Sequence, residues 1–303
     1  MKRRKAAPGA PEGGLVMDKA AGITSHDVVA IARRILGQPR IGHTGTLDPL
    51  ATGVLPLLLG RATRLAQYLA ADEKAYEAVV RFGQATSTYD AEGAPVGPSV
   101  DTPVDRAALE GALDQLRGTR LQMPPAVSAK RVGGHRAYDL ARRDTVPVLT
   151  PVDVRLHRVS VTRFDGQTAG LDVECSAGFY VRSLAHDLGQ ILGNGAHLTA
   201  LRRTRSGQFT LARAMSVQTL SQSPETAADH VWPMARLLPH LPAVVLGRLG
   251  QDYLTHGRQI GPGDTAGGVL PASGTACLLS ESGDLLGLAE CRGGALQPVV
   301  VLL

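Results

Sequence analysis

The stretch of sequence with the clearest potential for chemistry is residues 42–53, which contains one carboxylate, one imidazole and three glycines. Asp48 is the only acidic residue between Gly42 and Gly60, and His43 precedes it in the same segment. Glycines allow unusual backbone dihedrals and the close approach of a ligand, so we expect a shaped loop. Carboxylates act as nucleophiles and imidazoles as general acids or bases, which makes both side chains candidates for catalysis.

Asp48 also has a structural interpretation. An aspartate followed by Pro49 is a favourable helix N-cap with proline at the first helical position, so Asp48 could simply begin a short helical turn. A single histidine such as His43 is more often a hydrogen-bonding loop residue than a catalyst. The segment alone leaves both interpretations open, with the cap the more common one.

The elements around this loop must position it. Apolar residues at helical spacing predict a helix that begins after Thr24 or Ser25, with Gly37 as its left-handed stop. Apolar residues at every second position from Tyr76 to Phe82 predict a half-buried strand over Ala75–Phe82, with Tyr76 on its apolar face.

Further along the chain, the same patterns predict three more elements. Asp105 caps a second amphipathic helix that ends before Gly118. An alternating strand through Cys175 leads to a helix after Gly178, and Arg182 lies beside the apolar stripe of that helix. The pattern predicts a mixed body of strands and helices, followed after the proline-rich residues 221–242 by a small all-β module.

Composition excludes several classes of protein. The 303 residues carry 32 basic and 27 acidic side chains, and 44% of them are apolar, which is enough to build a core. No apolar run approaches the 18 or so residues that span a bilayer, so a membrane protein is excluded. The three cysteines do not suggest a disulfide framework or a zinc site. Residues 1–13 are expected to be a flexible basic tail rather than a secretory signal, which predicts a cytoplasmic protein.

Basic residues cluster more strongly than the net charge of +5 suggests. Residues 197–213 contain four arginines, including Arg202 and Arg203, and no acidic residue. We expect phosphate contacts for this run and for the basic residues near Lys130. The alternative for any one of these side chains is a solvated face.

The block of residues 42–60 resembles the signature of the TruB family of tRNA pseudouridine-55 synthases, and the order of further motifs agrees. The resemblance covers residues 15–209, with Ala20 where proline is usual and Phe179 where threonine is usual. The further motifs are Lys19 with residues 22–25, residues 74–76, residues 86–93 around Asp90, residues 128–138, residues 178–184 and residues 195–203.

The resemblance implies a role for each matching side chain. Asp48 would be the nucleophile, and Arg182 would pair with it and lower its pKa. Tyr76 would stack on an extruded uracil, with a core tyrosine as the alternative, and Tyr180 would transfer a proton or donate a hydrogen bond near the base. The expected substrate contacts are those of His43, Tyr76, Tyr180, Leu201, Lys19, Asp90, Lys130, Arg202 and Arg203.

The resemblance also implies a fold and an activity. The fold would be α+β, a pseudouridine synthase fold with a mixed, mainly antiparallel central sheet over residues 14–238 and a PUA-type, β-barrel-like RNA-binding domain over residues 239–303. The activity would be isomerisation of uridine in the T loop of tRNA by base flipping, with no cofactor, metal, guide RNA or protein partner. The alternatives are a guide-RNA-dependent dyskerin-type subunit, a non-catalytic RNA-binding or remodelling protein, and a hydrolytic RNA glycosylase.

Overall fold

The computed structural model describes residues 6–70, 73–125, 131–132, 135–136 and 150–303. The strands are β1 (Gly13–Lys19), β2 (Ile41–His43), β3 (Thr52–Leu59), β4 (Lys74–Phe82), β5 (Ala85–Thr86), β6 (Pro95–Val96), β7 (Gly118–Gln122), β8 (Arg131–Val132), β9 (His135–Arg136), β10 (Val152–Phe164), β11 (Thr168–Cys175), β12 (Ala196–Ser206), β13 (Phe209–Thr210), β14 (Met215–Ser216), β15 (Ala243–Val245), β16 (Gly274–Leu279), β17 (Leu285–Arg292) and β18 (Ala295–Val301). The α-helices are α1 (Ser25–Ile35), α2 (Ala66–Ala70), α3 (Arg106–Leu116), α4 (Val181–Leu192), α5 (Val217–Gln222), α6 (Ala227–His230) and α7 (Arg248–Thr255).

Within the described residues, ten strands form one mixed sheet. Its main path is β14, β1, β3, β12, β4, β11, β10 and β7, with β2 paired to β3 and β13 to β12. The β1–β14 and β3–β12 pairs are parallel, and the other pairs are antiparallel. This confirms the prediction of a mixed, mainly antiparallel central sheet with flanking helices. The parallel β3–β12 pair brings the segment after Asp48 beside the arginine-rich strand.

The predicted helices begin and end close to where their caps indicate. Thr24 caps α1 through a capping box with Asp27, and Gly37 follows the helix with φ +59°. The carboxylate of Asp105 accepts from Ala108 N at the start of α3. Helix α4 begins directly after Tyr180, which places that tyrosine at a helix entrance.

The C-terminal module contains a four-stranded sheet in the order β15, β16, β17 and β18. The prediction of an all-β module is wrong, because α7 packs beside this sheet. Gly250 within α7 explains the miss. Glycine weakens helix propensity, but a Cβ at this position would lie 2.4 Å from Asp264 O, so close packing requires glycine here.

The C-terminal module and the body that contains the large sheet share a hydrophobic cluster. Val16 and Leu58 of the large sheet belong to the same buried cluster as Leu288 and Leu302 of the module. The guanidinium of Arg61 also donates to Leu302 O. The cluster crosses the boundary that we predicted at residues 238–239, and that boundary remains a prediction.

The described part of the N-terminal segment lies against the body. Ala7 N donates to Gly37 O at 3.0 Å, and Glu12 pairs with Arg61 at 2.6 Å. Residues 6–12 therefore differ from the free tail that we expected for residues 1–13. No helix among the described residues has the length and apolar character needed to cross a membrane.

Candidate active site

Hydrogen bonds of residues before and after Asp48 in the sequence hold the loop between β2 and β3 in place. Ser25 is buried at the start of α1, and its hydroxyl accepts from Leu47 N at 2.8 Å and donates to Leu47 O at 3.0 Å. Ala51 N donates to Asp48 O at 3.0 Å and closes a turn. No helix follows Asp48 in this described loop, so the N-cap interpretation is wrong.

Lys19 also holds this loop in place. Its side chain is fully buried, and Nζ donates to Ala20 O at 2.9 Å, Pro49 O at 3.2 Å and Ala51 O at 2.6 Å. Desolvation lowers the pKa of Lys19 to about 8, although the charge of Asp48 raises it. The expected substrate contact of Lys19 stays a prediction, since its three hydrogen-bond acceptors in this structure are backbone carbonyls. Its buried ammonium group satisfies these carbonyls.

Arg182 joins the two carboxylates that the sequence singled out. Its Nε lies 2.9 Å from Asp48 Oδ2, and its Nη1 lies 3.3 Å from Asp90 Oδ2. Nη1 also donates to Thr88 O at 3.1 Å. The predicted pair of Arg182 and Asp48 is confirmed. Asp90 is 2% exposed and orients Arg182, and its expected substrate contact stays a prediction.

Two opposing effects act on the pKa of Asp48. Desolvation raises the pKa of the Asp48 carboxyl above its usual value, and the nearby Arg182 lowers it by less. The predicted effect of Arg182 is present, but desolvation outweighs it, so the net direction of the pKa shift is upward. The Asp48 side chain retains 36% exposure, whereas the Arg182 side chain retains 6%. A carboxylate that is partly desolvated, oriented from one side and open on another is suited to nucleophilic attack.

Tyr76 and Arg203 are register partners across β4 and β12. Tyr76 is 8% exposed, and its hydroxyl is hydrogen-bonded to Arg203. Burial raises the pKa of Tyr76, so its ring remains neutral at physiological pH. Arg203 is 1% exposed and donates to Val54 O at 2.7 Å and Gly45 O at 3.1 Å. The guanidinium of Arg203 thus ties the Asp48 loop to the strand that carries Tyr76, and its expected phosphate contact stays a prediction.

Tyr180 is fixed by an amide side chain. Gln122 is 1% exposed at the end of β7, its Nε2 donates to Tyr180 O at 3.0 Å, and Tyr180 N donates to its Oε1 at 2.8 Å. The side-chain amide of Gln122 thus pairs with the backbone of Tyr180 as a neighbouring β-strand would, and it holds the N-terminus of α4. The sequence did not single it out, because a glutamine at a strand end gives no signal of its long-range partner.

These side chains meet around a cavity of about 370 Å³. The predicted residues that line it are Asp48, Tyr76, Tyr180, Arg182, Leu201 and Arg203. Lys74 also lines it and was missed, although strand alternation places Lys74 on the same face as Tyr76. His43 is not among the described lining residues and lies at the end of β2 with its ring 6.2 Å from that of His26. Its contact with a substrate remains a prediction.

The other arginines of residues 197–213, for which we expected phosphate contacts, have partners within the protein. Arg202 binds Asp18 through both terminal nitrogens, at 3.1 and 2.8 Å, and its side chain is 36% exposed. Arg205 lies 3.7 Å from Glu174, and Arg213 stacks over Trp232. The phosphate contact of Arg202 stays a prediction. Lys130 lies outside the described residues.

Comparisons with known proteins find matches over most of the chain. Residues 33–181 match the N-terminal domain of the TruB family pseudouridylate synthases. Residues 182–241 match the C-terminal domain of tRNA pseudouridylate synthase B. A tRNA pseudouridine synthase B of Solibacter usitatus is 43% identical over 92% of this chain and 95% of its own length. One of Thermobifida fusca is 44% identical over 96% and 98%, respectively.

Solved structures agree with the fold. A chain in a Cbf5-Nop10-Gar1 complex superposes with a TM-score of 0.73 at 25% identity, over all of this chain and 92% of that one. A chain of an H/ACA RNP bound to a substrate RNA containing 2'-deoxyuridine has a TM-score of 0.72 at 24% identity, over 96% and 85%. The α+β pseudouridine synthase fold is therefore confirmed. Two models of the TruB family match residues 33–241, and the relatives align over nearly the full length of the chain. The chain therefore belongs to the TruB family of pseudouridylate synthases.

Proposed function

We propose that this enzyme isomerises uridine to pseudouridine in the T loop of tRNA, at position 55, with Asp48 as its nucleophile and without a cofactor. The observation that carries the proposal is the carboxylate of Asp48 at the cavity wall, held by Arg182 at 2.9 Å and open on its other side. The relatives named tRNA pseudouridine synthase B support tRNA as the substrate.

The reaction balances without an external reagent. The C1′–N1 bond of the nucleoside breaks and a C1′–C5 bond forms, while the C5 proton is lost and N1 gains one. The Asp48 carboxylate can add either to C6 of the base or to C1′ of the sugar, and it is released when the new bond is complete. Because Arg182 pairs with one oxygen, Oδ2, the second oxygen is available for attack.

Access to the base requires the nucleotide to leave its stack. Unstacking costs a few kcal/mol, and stacking on an aromatic ring returns about 1 to 3 kcal/mol per base. Tyr76 lines the cavity with its hydroxyl fixed by Arg203, so its ring is already oriented before the base arrives. Tyr180 lines the same cavity and is proposed to bond or protonate the base.

The buried position of Asp90 argues against a hydrolytic glycosylase. Such enzymes typically need a second carboxylate that can activate water or protonate the leaving group. The Asp90 side chain is 3% exposed and engaged with Arg182, so it cannot serve either purpose. The geometry therefore favours isomerisation over release of free uracil.

The decisive test is reconstitution from purified protein and an unmodified tRNA transcript alone. We expect pseudouridine at position 55 only, with no change in RNA mass and no release of uracil. Because related folds occur in the Cbf5-Nop10-Gar1 complex, a guide-dependent subunit is the main alternative. Absence of turnover until a guide RNA and partner proteins are added would support that alternative and contradict our proposal.

The C-terminal module is proposed to add RNA contacts as a PUA-type domain, and the cytoplasm is the proposed location. The hydrophobic cluster that contains Leu58 and Leu302 would hold the module in a fixed position relative to the catalytic body.

A further inference from the structure

One residue in the turn behind the active site has an unusual backbone. Among the described residues, Tyr89 is the only one other than glycine with a positive φ, at +65°. A bulky side chain rarely adopts this left-handed conformation, because its Cβ crowds the backbone. Tyr89 lies between Thr88 and Asp90, the two residues behind the active site that bind Arg182. The strained residue is thus at the point where the turn holds the partner of Asp48.

The ring of Tyr89 has a specific partner. It stacks on His186 with ring centroids 3.9 Å apart and an interplanar angle of 14°. Both rings are half-buried. Desolvation lowers the pKa of His186, and the charge of Asp187 raises it by less, so the imidazole is neutral at pH 7. Two neutral stacked rings attract one another, which favours the left-handed conformation of Tyr89.

His186 lies one helical turn after Arg182 on α4. Side chains four residues apart on a helix lie on the same face. Helix α4 therefore holds the turn at two points: Arg182 binds Thr88 O and Asp90, and His186 packs on Tyr89. If the ring contact were lost, the turn could relax at residue 89, and the two acceptors behind Arg182 would move with it.

The rest of the turn does not depend on this ring contact. Leu198 N donates to Tyr89 O at 3.0 Å, and Ala91 N donates to Leu198 O at 2.9 Å. Thr86 Oγ1 donates to Asp90 O at 2.7 Å. These bonds keep the turn attached to the large sheet, so removal of the ring should leave the fold intact and change only the local geometry.

We propose that Tyr89 and His186 are positioning residues for the reaction, whose stacked rings hold the turn that orients Arg182 toward Asp48. The inference rests on the proposed function, because it assumes that the Arg182–Asp48 pair carries the chemistry. Neither ring lines the cavity in the described part of the chain, so both act through Arg182 and not on the substrate.

The test compares variants of the full chain by single-turnover rate on a tRNA transcript and by tRNA affinity. Tyr89→Ala and His186→Ala should each lower the rate about tenfold, with less than a twofold change in Kd; tenfold corresponds to about 1.4 kcal/mol. Tyr89→Phe keeps both the ring and the left-handed residue and should react at the parental rate. The double variant should lose no more than either single variant, because one contact is removed once.

Two further variants make the result decisive. Tyr89→Gly permits the left-handed backbone without a ring, and we expect its rate to stay below that of the parent. Ile191→Ala removes an exposed apolar side chain from the helix that carries His186 and should leave the rate unchanged.

Four results would overturn the proposal: a parental rate for Tyr89→Ala, a parental rate for Tyr89→Gly, a Phe variant as slow as the Ala variant, or losses that multiply to a hundredfold in the double variant. Thermal melting of each variant verifies that the protein is folded. If Asp48→Asn were fully active, the proposed function would fail, independently of the Tyr89 series.

Discussion

At the scale of single residues, the central feature is a carboxylate on which opposing effects act. Removal of water around Asp48 raises its pKa, and the guanidinium of Arg182 opposes that rise. The first effect makes the carboxylate more nucleophilic, while the second keeps it ionised and oriented. Asp48 thus depends on both desolvation and the charge of Arg182 to act as a nucleophile.

The raised pKa of Asp48 predicts the acid limb of the pH–rate profile. The protonated carboxyl cannot attack, so the single-turnover rate should fall as the pH is lowered through the pKa of this group. Because the pKa is raised, the midpoint should lie above the ordinary value of 3.8. Rates measured on prebound tRNA between pH 4 and 8 check this, with circular dichroism as the control for folding. A rate independent of pH over this range in a chemistry-limited reaction would contradict the role of Asp48.

Replacement of Tyr76 should separate chemistry from binding. Tyr76→Leu removes the ring on which the base is proposed to stack, a contact that forms only after the nucleotide leaves its helix. We expect the single-turnover rate to fall by about 5- to 150-fold, since about 1 to 3 kcal/mol of stacking is lost. Affinity for tRNA, measured by filter binding, should change less than threefold. Equal losses in rate and affinity would refute the late stacking contact.

At the scale of secondary-structure elements, the junction of β3 and β12 shapes the loop that carries Asp48. Gly53, with φ +99°, lies at the parallel junction of β3 and β12, where a Cβ would lie 2.2 Å from Arg203 O. Glycine is required both by the backbone angle and by the close approach. The junction therefore fixes the distance between the Asp48 loop and the strand that carries Leu201 and Arg203.

A pair of identical substitutions tests this junction. Gly53→Ala should destabilise the protein by about 2 kcal/mol or more and reduce activity strongly, because the Cβ collides with the backbone of Arg203. Gly111→Ala, within α3 and with no atom within 4 Å of the added Cβ, should instead stabilise by up to about 1 kcal/mol. Urea unfolding and turnover measure both. Similar effects of the two variants would show that the close approach at Gly53 is unimportant.

Local patterns in the sequence predicted the main elements well. The caps of Thr24 and Asp105 and the alternation around Tyr76 are properties of neighbouring residues, and the corresponding helices and strand are confirmed. The burial of Lys19 and Arg203 could not be derived in this way. Their acceptors are loop and strand carbonyls far away in the sequence, so a basic side chain destined for the interior resembles one on the surface.

At the scale of the whole molecule, the C-terminal module is part of the packed structure. Leu302, directly after β18, belongs to the hydrophobic cluster shared with the large sheet, and the guanidinium groups of Arg61 and Arg64 donate to carbonyls of Leu302 and Val301. Burial of apolar area across the predicted domain boundary couples the two parts thermodynamically. We expect them to unfold together.

The last two leucines provide a matched test of that coupling. Leu302 is 1% exposed and Leu303 is 54% exposed. Leu302→Ala should lower the free energy of unfolding by about 2 to 5 kcal/mol and keep a single transition. Leu303→Ala should change it by no more than about 0.5 kcal/mol. Denaturant unfolding followed by fluorescence and circular dichroism measures both, and two separate transitions in the parent protein would contradict a shared core.

The proposed chemistry depends above all on attack of the Asp48 carboxylate on the nucleoside. Release of tritium from C5-labelled uridine in tRNA tests it most directly, with the isosteric variant Asp48→Asn compared with the parent at equal tRNA occupancy. We predict that the variant binds tRNA and remains folded but releases no measurable tritium. Release at the parental rate from a folded, tRNA-bound Asp48→Asn protein would contradict the mechanism.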